Sequence, residues 1–190
     1  MKKAIAAASA LALVTLAGCS AKAPEQREVT MASTISAPPL FSGQIGTVSK
    51  SGPNKLKVGD SFSQVGLMRL RSCNTDNTDC KLGIGKLKSQ VTVVALNTAK
   101  ATVLVDLQLD VDRTQNVGTE ATGVSYNLSD KEPTLHGSHA KSETVSVDYN
   151  RIEHFDLPYG VAFKLCVEAQ DVGGEDSGSA CNGQEAVLSH

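Results

Sequence analysis

The chain has 190 residues, of which 41% are hydrophobic and 20% are charged, and its formal net charge is −2. This length fits one domain of ordinary size, and the apolar fraction is too high for an intrinsically disordered chain. The slight negative charge excludes a nucleic-acid binder with a basic surface, and 4% aromatic residues are too few for a base-stacking platform.

The N-terminus has the features of an export signal. Lys2 and Lys3 precede an uncharged, Ala/Leu-rich run that ends at Gly18. As a helix this run would be about 22 Å long, which is short of the ~30 Å hydrocarbon core of a bilayer. We therefore predict a signal peptide over residues 1–18 rather than a permanent transmembrane helix.

The run ends in Leu16-Ala17-Gly18-Cys19, which resembles the lipobox of bacterial lipoproteins. The resemblance implies cleavage before Cys19, a diacylglycerol on its thiol and an acyl chain on its new amine. Two or three acyl chains, at about 0.8 kcal/mol per buried CH₂, would anchor the protein durably in a membrane. Ser20 follows, and in Gram-negative lipoproteins Ser at this position is compatible with export. The expected location is the cell envelope, at the outer membrane and facing the periplasm.

The segment after the lipobox has the composition of a spacer. Residues 20–39 contain three prolines, mixed charges and many Ala, Ser and Thr residues, with little apolar periodicity. This composition predicts a flexible tether. The predicted organisation is therefore a signal peptide over 1–18, a lipidated Cys19 with its tether over 19–40, and one domain over 41–190.

The remaining chain shows the period-two alternation of β-strands. The clearest stretch is 102–112, whose acidic and polar residues share one face and whose apolar residues share the other, with Leu104 as the exception. Residues 87–95 alternate likewise, and the short polar link 97–100 predicts a hairpin. Further strands are expected at 43–48, 63–71, 123–128, 142–150 and 160–170. The predicted fold is an all-β, antiparallel β-sandwich of about seven strands, with a small β-barrel as the alternative.

Four cysteines remain when Cys19 is set aside, namely Cys73, Cys80, Cys166 and Cys181. An even number in an oxidising compartment predicts two disulfides. Three pairings are open, and the simplest joins Cys73 to Cys80 and Cys166 to Cys181. Strand parity places Cys166 on the outer face, where it can hold a Gly-rich loop. Closing a loop of about 15 residues contributes roughly 3 kcal/mol in the chain-entropy model.

Few residues of the sequence suggest a catalytic, metal-binding or charged binding site. His136 and His139 lie three apart in a predicted mobile loop and are weak candidates for metal ligands, although paired histidines in polar loops are commonly only solvated. Lys81, Lys86 and Lys88 form a short basic strip that suits anionic lipid headgroups or peptidoglycan. Since the sequence has neither a G-x-S-x-G elbow nor a Cys-x-x-Cys motif, we predict no catalytic residue, metal or cofactor.

The predicted function rests on the anchor and on the surface. Residues 152–160 carry Phe155, Leu157 and Tyr159, a candidate protein contact whose alternative is packing over one end of the sandwich. The expected role is a non-catalytic protein-binding or accessory subunit of an envelope assembly, with an envelope protein as its partner. The alternatives are a periplasmic binder of a small ligand, metal or glycan, and an inhibitor of a hydrolase such as a lysozyme.

Overall fold

The structure, a computed structural model, describes residues 28–38, 46–117, 124–169 and 181. The predicted signal peptide and Cys19 lie outside this part of the chain. Within it, no helix is long and apolar enough to cross a membrane, and Pro158–Gly160 form a 3-10 turn. The strands of the described residues are β1 Val29–Ala37, β2 Gly46–Leu56, β3 Ser61–Cys73, β4 Cys80–Leu96, β5 Lys100–Asp112, β6 Thr114–Val117, β7 Val124–Asn127, β8 Gly137–Asp148, β9 Ile152–Asp156 and β10 Ala162–Ala169.

These strands form two four-stranded sheets and a separate hairpin of β6 and β7. The first sheet has the order β2-β1-β10-β9, and the second has the order β3-β4-β5-β8. Every pairing within the two sheets is antiparallel. Their inner faces enclose one hydrophobic core. The predicted β-sandwich is confirmed, and the alternative of a closed barrel is wrong.

The alternation in β5 builds the inner face of the second sheet. Five of its apolar residues at odd positions are at most 3% exposed, namely Val103, Val105, Leu107, Leu109 and Val111. The predicted hairpin between β4 and β5 is also present. Asn97 shapes its turn, because the Asn97 Oδ1 atom accepts hydrogen bonds from the main-chain N–H groups of Ala99 and Lys100, each at 2.8 Å.

The prediction of a tether over residues 20–39 is wrong for residues 29–37, which form β1. This strand lies inside the first sheet, between β2 and β10. Its inward side chains are buried: Val29, Met31 and Ile35 are at most 1% exposed, and Ser33 is 4% exposed. The small Thr, Ala and Ser residues between them resemble a linker in composition, so the period-two signal is weak. The folded domain therefore begins at about residue 29 rather than 41.

Two further strand predictions need correction, and two short strands were missed. β2 continues to Leu56, well past the predicted end at 48, and β8 begins at Gly137, five residues before the predicted start. β6 and β9 were not predicted, because a strand of four or five residues offers only two or three alternations. β9 is nevertheless part of the core, since it pairs with β10 along its whole length.

Candidate binding face

The outer face of the second sheet carries the candidate site. Side chains at alternate positions of β3, β4, β5 and β8 point away from the core here. Cross-strand pairing aligns two rows of them in the middle of the face. Together they line a groove of about 430 Å³. The residues of this central groove are Ser63, Gln90, Asp106 and Ser142 in one row, and Val65, Lys88, Gln108 and Ala140 in the other.

On the β5–β8 side of the outer face, hydroxyl groups hold two carboxylates, Asp106 in the central groove and Asp110 next to it. The Ser142 hydroxyl donates to Asp106 Oδ1, and Ser138 Oγ donates to Asp110 Oδ1 at 2.7 Å. Each of these pairs is directly opposed in the β5–β8 register. The Gln108 amide adds contacts of 3.3 and 3.2 Å to the two Asp110 oxygens. The carboxylates are therefore fixed in place while retaining free acceptor capacity.

The β4 side of the central groove is chemically different. Lys88 and Gln90 are exposed, and neither makes a hydrogen bond or ion pair with another described residue. In register, Lys88 is opposite Gln108 and Gln90 is opposite Asp106. An ammonium group and an amide without partners thus stand beside carboxylates that are already oriented. This arrangement offers both donors and acceptors to a partner.

The predicted basic strip is divided by the fold. Lys86 and Lys88 lie on the outer face, whereas Lys81 has the opposite parity in β4. The Lys86 ammonium donates to the main-chain oxygen of Asn116 in β6, so the β6–β7 hairpin folds over this part of the face. Ile84, which also points outward, is consequently only 1% exposed. Lys88 alone of the three lines the groove.

The predicted metal-ligand histidines do not converge. Residues 137–139 belong to β8 rather than to a mobile loop, and a spacing of three residues on a strand directs two side chains to opposite faces. His136 Nδ1 lies 2.9 Å from Asp112 Oδ1 on the outer face. His139 contacts the Tyr159 ring edge-on, with 5.8 Å between centroids. The structure therefore does not support this pair as metal ligands.

The candidate protein contact at residues 152–160 is also corrected. Phe155 is 1% exposed and Leu157 is 9% exposed, and Phe155 packs against Phe163 with 5.9 Å between ring centroids. Tyr159 is half-buried against the same core. Pairing of β9 with β10 places Phe155 opposite Phe163, and both Phe155 and Leu157 belong to the hydrophobic core, as the alternative of packing within the sandwich predicts.

Both predicted cysteine pairs are at bonding distance. The S–S distance is 2.05 Å for Cys73–Cys80 and 1.94 Å for Cys166–Cys181. The first pair is directly opposed in the β3–β4 register and closes the end of that hairpin. In the second pair, Cys181 is 4% exposed, and its main-chain N–H donates to Glu168 Oε1 at 2.7 Å. Cys166 and Glu168 share the outer face of β10, as the parity argument predicted.

Within the part of the chain that the structure describes, no group of three His, Cys, Asp or Glu side chains is placed to hold a metal ion. Comparisons with protein-family models, with curated proteins and with solved structures found no match. The lipidation site predicted at Cys19 lies outside the described residues.

Sequence reasoning missed the central groove for a structural reason. The outward acidic residues of β5 were predicted, but they indicated only a solubilising strand. Ser138 precedes the predicted start of β8, and the histidines around it suggested a loop. The available signal was the matching alternation of acids on β5 and serines on β8, namely Asp106, Asp110, Ser138 and Ser142. That signal becomes visible only once the strand register is known.

Proposed function

We propose that the protein is a lipid-anchored, non-catalytic accessory subunit of a cell-envelope assembly, which binds a partner protein through its central groove. The lipobox ending at Cys19 supports the anchor. The observation that carries the binding role is the set of unpaired polar groups on Lys88 and Gln90 beside the fixed carboxylate of Asp106. The partner segment is expected to bring a carboxylate to Lys88 and an N–H or O–H donor to Asp106.

The chemistry of the groove favours a protein over a small molecule. Small-ligand sites are typically enclosed, whereas the central groove is open and lies on a sheet face. Its opposite charges occupy neighbouring rows, and such patterns set specificity and register at protein interfaces. No aromatic side chain lines the groove, so stacking on sugar rings or bases has no support.

The partner is expected to approach the face of the second sheet rather than its β8 edge. Lys141 and Glu143 occupy inward positions on β8, with Lys141 Nζ 2.7 Å from Glu143 Oε1. The same ammonium lies 5.4 Å from the Phe155 ring centroid. Inward-pointing charges on an edge strand oppose the addition of a further strand. The outer face has no such obstacle.

Site-specific photo-crosslinking in cells tests this proposal. Val65→p-benzoylphenylalanine places the crosslinker at an exposed position of the groove, and His154→p-benzoylphenylalanine places it at an exposed position of the opposite sheet. We expect a light-dependent adduct with an envelope protein from position 65 only, and its loss when Lys88→Glu is added. With the purified partner, Lys88→Glu should weaken binding about tenfold or more, which corresponds to about 1.4 kcal/mol. Equal adducts from both positions, or an adduct whose yield is unchanged by Lys88→Glu, would show that the groove is not the binding site.

The anchor has a separate test. Cys19→Ser should move the protein from the membrane fraction to the soluble fraction, because it removes the acylated thiol. The crosslinked adduct should then decline if the partner resides at the membrane. A Cys19→Ser protein that stays in the membrane fraction would show that the lipobox interpretation is wrong.

The hairpin closed by Cys73 and Cys80 supports a second candidate function, inhibition of an envelope hydrolase such as a lysozyme. Residues 74–79 are all exposed. Asn74 orders this loop, because its Oδ1 atom accepts hydrogen bonds from the main-chain N–H groups of Thr78 and Asp79 at 3.0 and 3.2 Å. A loop that is ordered before binding loses less entropy when it enters an active site. Purified protein should then inhibit a lysozyme, and Asn74→Ala should weaken the inhibition. Equal inhibition by the wild-type and Asn74→Ala proteins would show that this loop is not the inhibitory element.

A further inference from the structure

The position of β1 relative to the lipobox limits how far the domain can stand from the membrane. Val29 begins β1 and follows Cys19 by ten residues. A chain of ten residues spans at most about 33–36 Å, whatever its conformation. This argument rests on the proposed anchor, since the acyl chains on Cys19 define the membrane side.

One end of the sandwich is tied to that short connection. Val29 is paired with Leu56 at the end of β2 and with Ala169 at the end of β10. Three turns meet at the same end, namely 57–60, 97–99 and 149–151. Main-chain hydrogen bonds join them to the strand ends, from Val93 N to Asp60 O at 2.9 Å and from Asn150 N to Val167 O at 2.8 Å. We call these three turns, with the start of β1, the anchor end.

The surface of the anchor end suits a layer of lipid headgroups. Two of its acidic side chains are engaged by basic ones: Glu28 Oε1 lies 3.0 Å from Lys57 Nζ, and Asp148 contacts Lys100 at 3.0 Å and Arg151 at 3.6 Å. A third, Asp60, accepts a hydrogen bond from the Lys57 main-chain N–H at 2.8 Å. Val58, between Lys57 and Gly59, projects from its turn with 47% exposure. Basic groups near a membrane attract anionic lipids, and an exposed apolar residue among them can enter the interface.

We propose that the anchor end faces the bilayer and rests on its headgroups, so that the sandwich stands with the Cys73–Cys80 hairpin away from the membrane. β3 runs from Ser61 beside the anchor end to Cys73 at that hairpin. Its twelve residue steps, at about 3.3 Å each, separate the two ends by about 40 Å. In this orientation the central groove, midway along the sheet, stays open to a partner.

Förster resonance energy transfer from a dye on the protein to a dye in the membrane tests this orientation. The full lipidated protein is reconstituted into vesicles of phosphatidylethanolamine and phosphatidylglycerol that carry an acceptor dye on a headgroup. A donor dye is attached through Thr98→p-azidophenylalanine at the anchor end or Asn77→p-azidophenylalanine at the far hairpin, which leaves all cysteines intact. We expect strong transfer from position 98 and much weaker transfer from position 77. Equal transfer, or stronger transfer from position 77, overturns the proposed orientation.

A charge variant separates headgroup contact from simple tethering. Arg151→Glu should lower transfer from position 98, because it places an acidic group at the anionic surface, while the matched Arg71→Glu at the far hairpin should leave it unchanged. If Arg151→Glu has no effect, the anchor end does not rest on the headgroups.

Flotation of the same vesicles distinguishes failure of the orientation from failure of the proposed function. The wild-type chain should float with the lipid, and the Cys19→Ser chain should not. If the wild-type chain does not float, the lipid anchor and the orientation that depends on it are both wrong. If it floats while the two dye positions transfer equally, only the orientation is wrong.

Discussion

A polar bridge crosses the core of the sandwich, and it allows a quantitative test of how the two sheets are joined. Ser33 of β1 donates its hydroxyl to Gln64 Oε1 of β3 at 2.6 Å, and Gln64 Nε2 donates to Ser49 Oγ of β2 at 2.9 Å. Ser33 is 4% exposed and Gln64 is 6% exposed. The bridge therefore links the first sheet to the second through polar groups that are shielded from water.

Ser33→Ala should destabilise the fold by about 1–3 kcal/mol. The substitution removes a single oxygen, so the main cost is a buried Gln64 carbonyl oxygen left without this donor. In a domain of this size, each kcal/mol corresponds to roughly 2–4 °C in Tm. The expected loss is thus about 2–12 °C. Ser63→Ala, on the outer face next to Gln64 in sequence, is the matched control and should change stability by less than about 0.5 kcal/mol.

Gln64→Met extends the test to a double-mutant cycle. This substitution keeps a long side chain but leaves the Ser33 and Ser49 hydroxyls without their partner. Combining it with Ser33→Ala should cost less than the sum of the single changes, since neither partner of that hydrogen bond then remains buried alone. The expected coupling is about 0.5–3 kcal/mol, the range for residues in direct contact.

Urea unfolding followed by far-UV circular dichroism measures these values, with Cys19→Ser as the common background to remove the acyl chains. The m-value should stay constant across the series, because the surface exposed on unfolding is unchanged. Costs below 0.5 kcal/mol, or strictly additive costs, would refute the reasoning. The Ser33 hydroxyl would then be solvated, and β1 could not occupy the interior of the first sheet in the described register.

Three further predictions concern the backbone, the second disulfide and acid stability. Gly52→Ala should cost about 1–3 kcal/mol in urea unfolding, because Gly52 has φ +115° and a Cβ there would lie 2.6 Å from a main-chain oxygen of β1. Replacing Cys166 and Cys181 together by Ala should cost about 3 kcal/mol, measured against the oxidised parent. A hydrogen bond from Lys100, and then its charge, lower the pKa of Asp148, so its stabilisation is present above pH ~4 and is lost as pH falls through the folded-state pKa. Lys100→Gln should therefore make unfolding midpoints less pH-dependent in acid, and an unchanged pH profile would contradict this account.

The parts of the fold that were predicted are those in which burial repeats every second residue. In β5, five inward apolar residues alternate with polar ones, and a strand is the one regular structure that puts such a pattern on two faces. The same parity placed the Cys166 side chain on the outer face of its strand, between those of Lys164 and Glu168. The disulfide to Cys181 followed because a cysteine on an outer face can reach a loop that crosses it.

β1 was not predicted because one of its inward positions is polar. Ser33 interrupts the pattern formed by Met31 and Ile35, and it is tolerated inside the core because Gln64 satisfies its hydroxyl. The two residues are 31 positions apart in the chain, so no local window contains both. The strand is specified by tertiary pairing, which local composition does not report.

The central groove was not predicted because outward residues carry no burial signal. A solubilising strand and a binding strand have the same alternation, and they differ only in what the outward groups meet. One outward lysine of the same sheet, Lys100, forms an ion pair, with Asp148 at 3.0 Å. Lys88 has carboxylates on the neighbouring strand, yet those of Asp106 and Asp110 are bonded to serines and Lys88 remains unpaired. Because these carboxylates are held by serines, the isolated domain forms no ion pair at Lys88. A partner that brings a carboxylate to Lys88 would form that ion pair on binding.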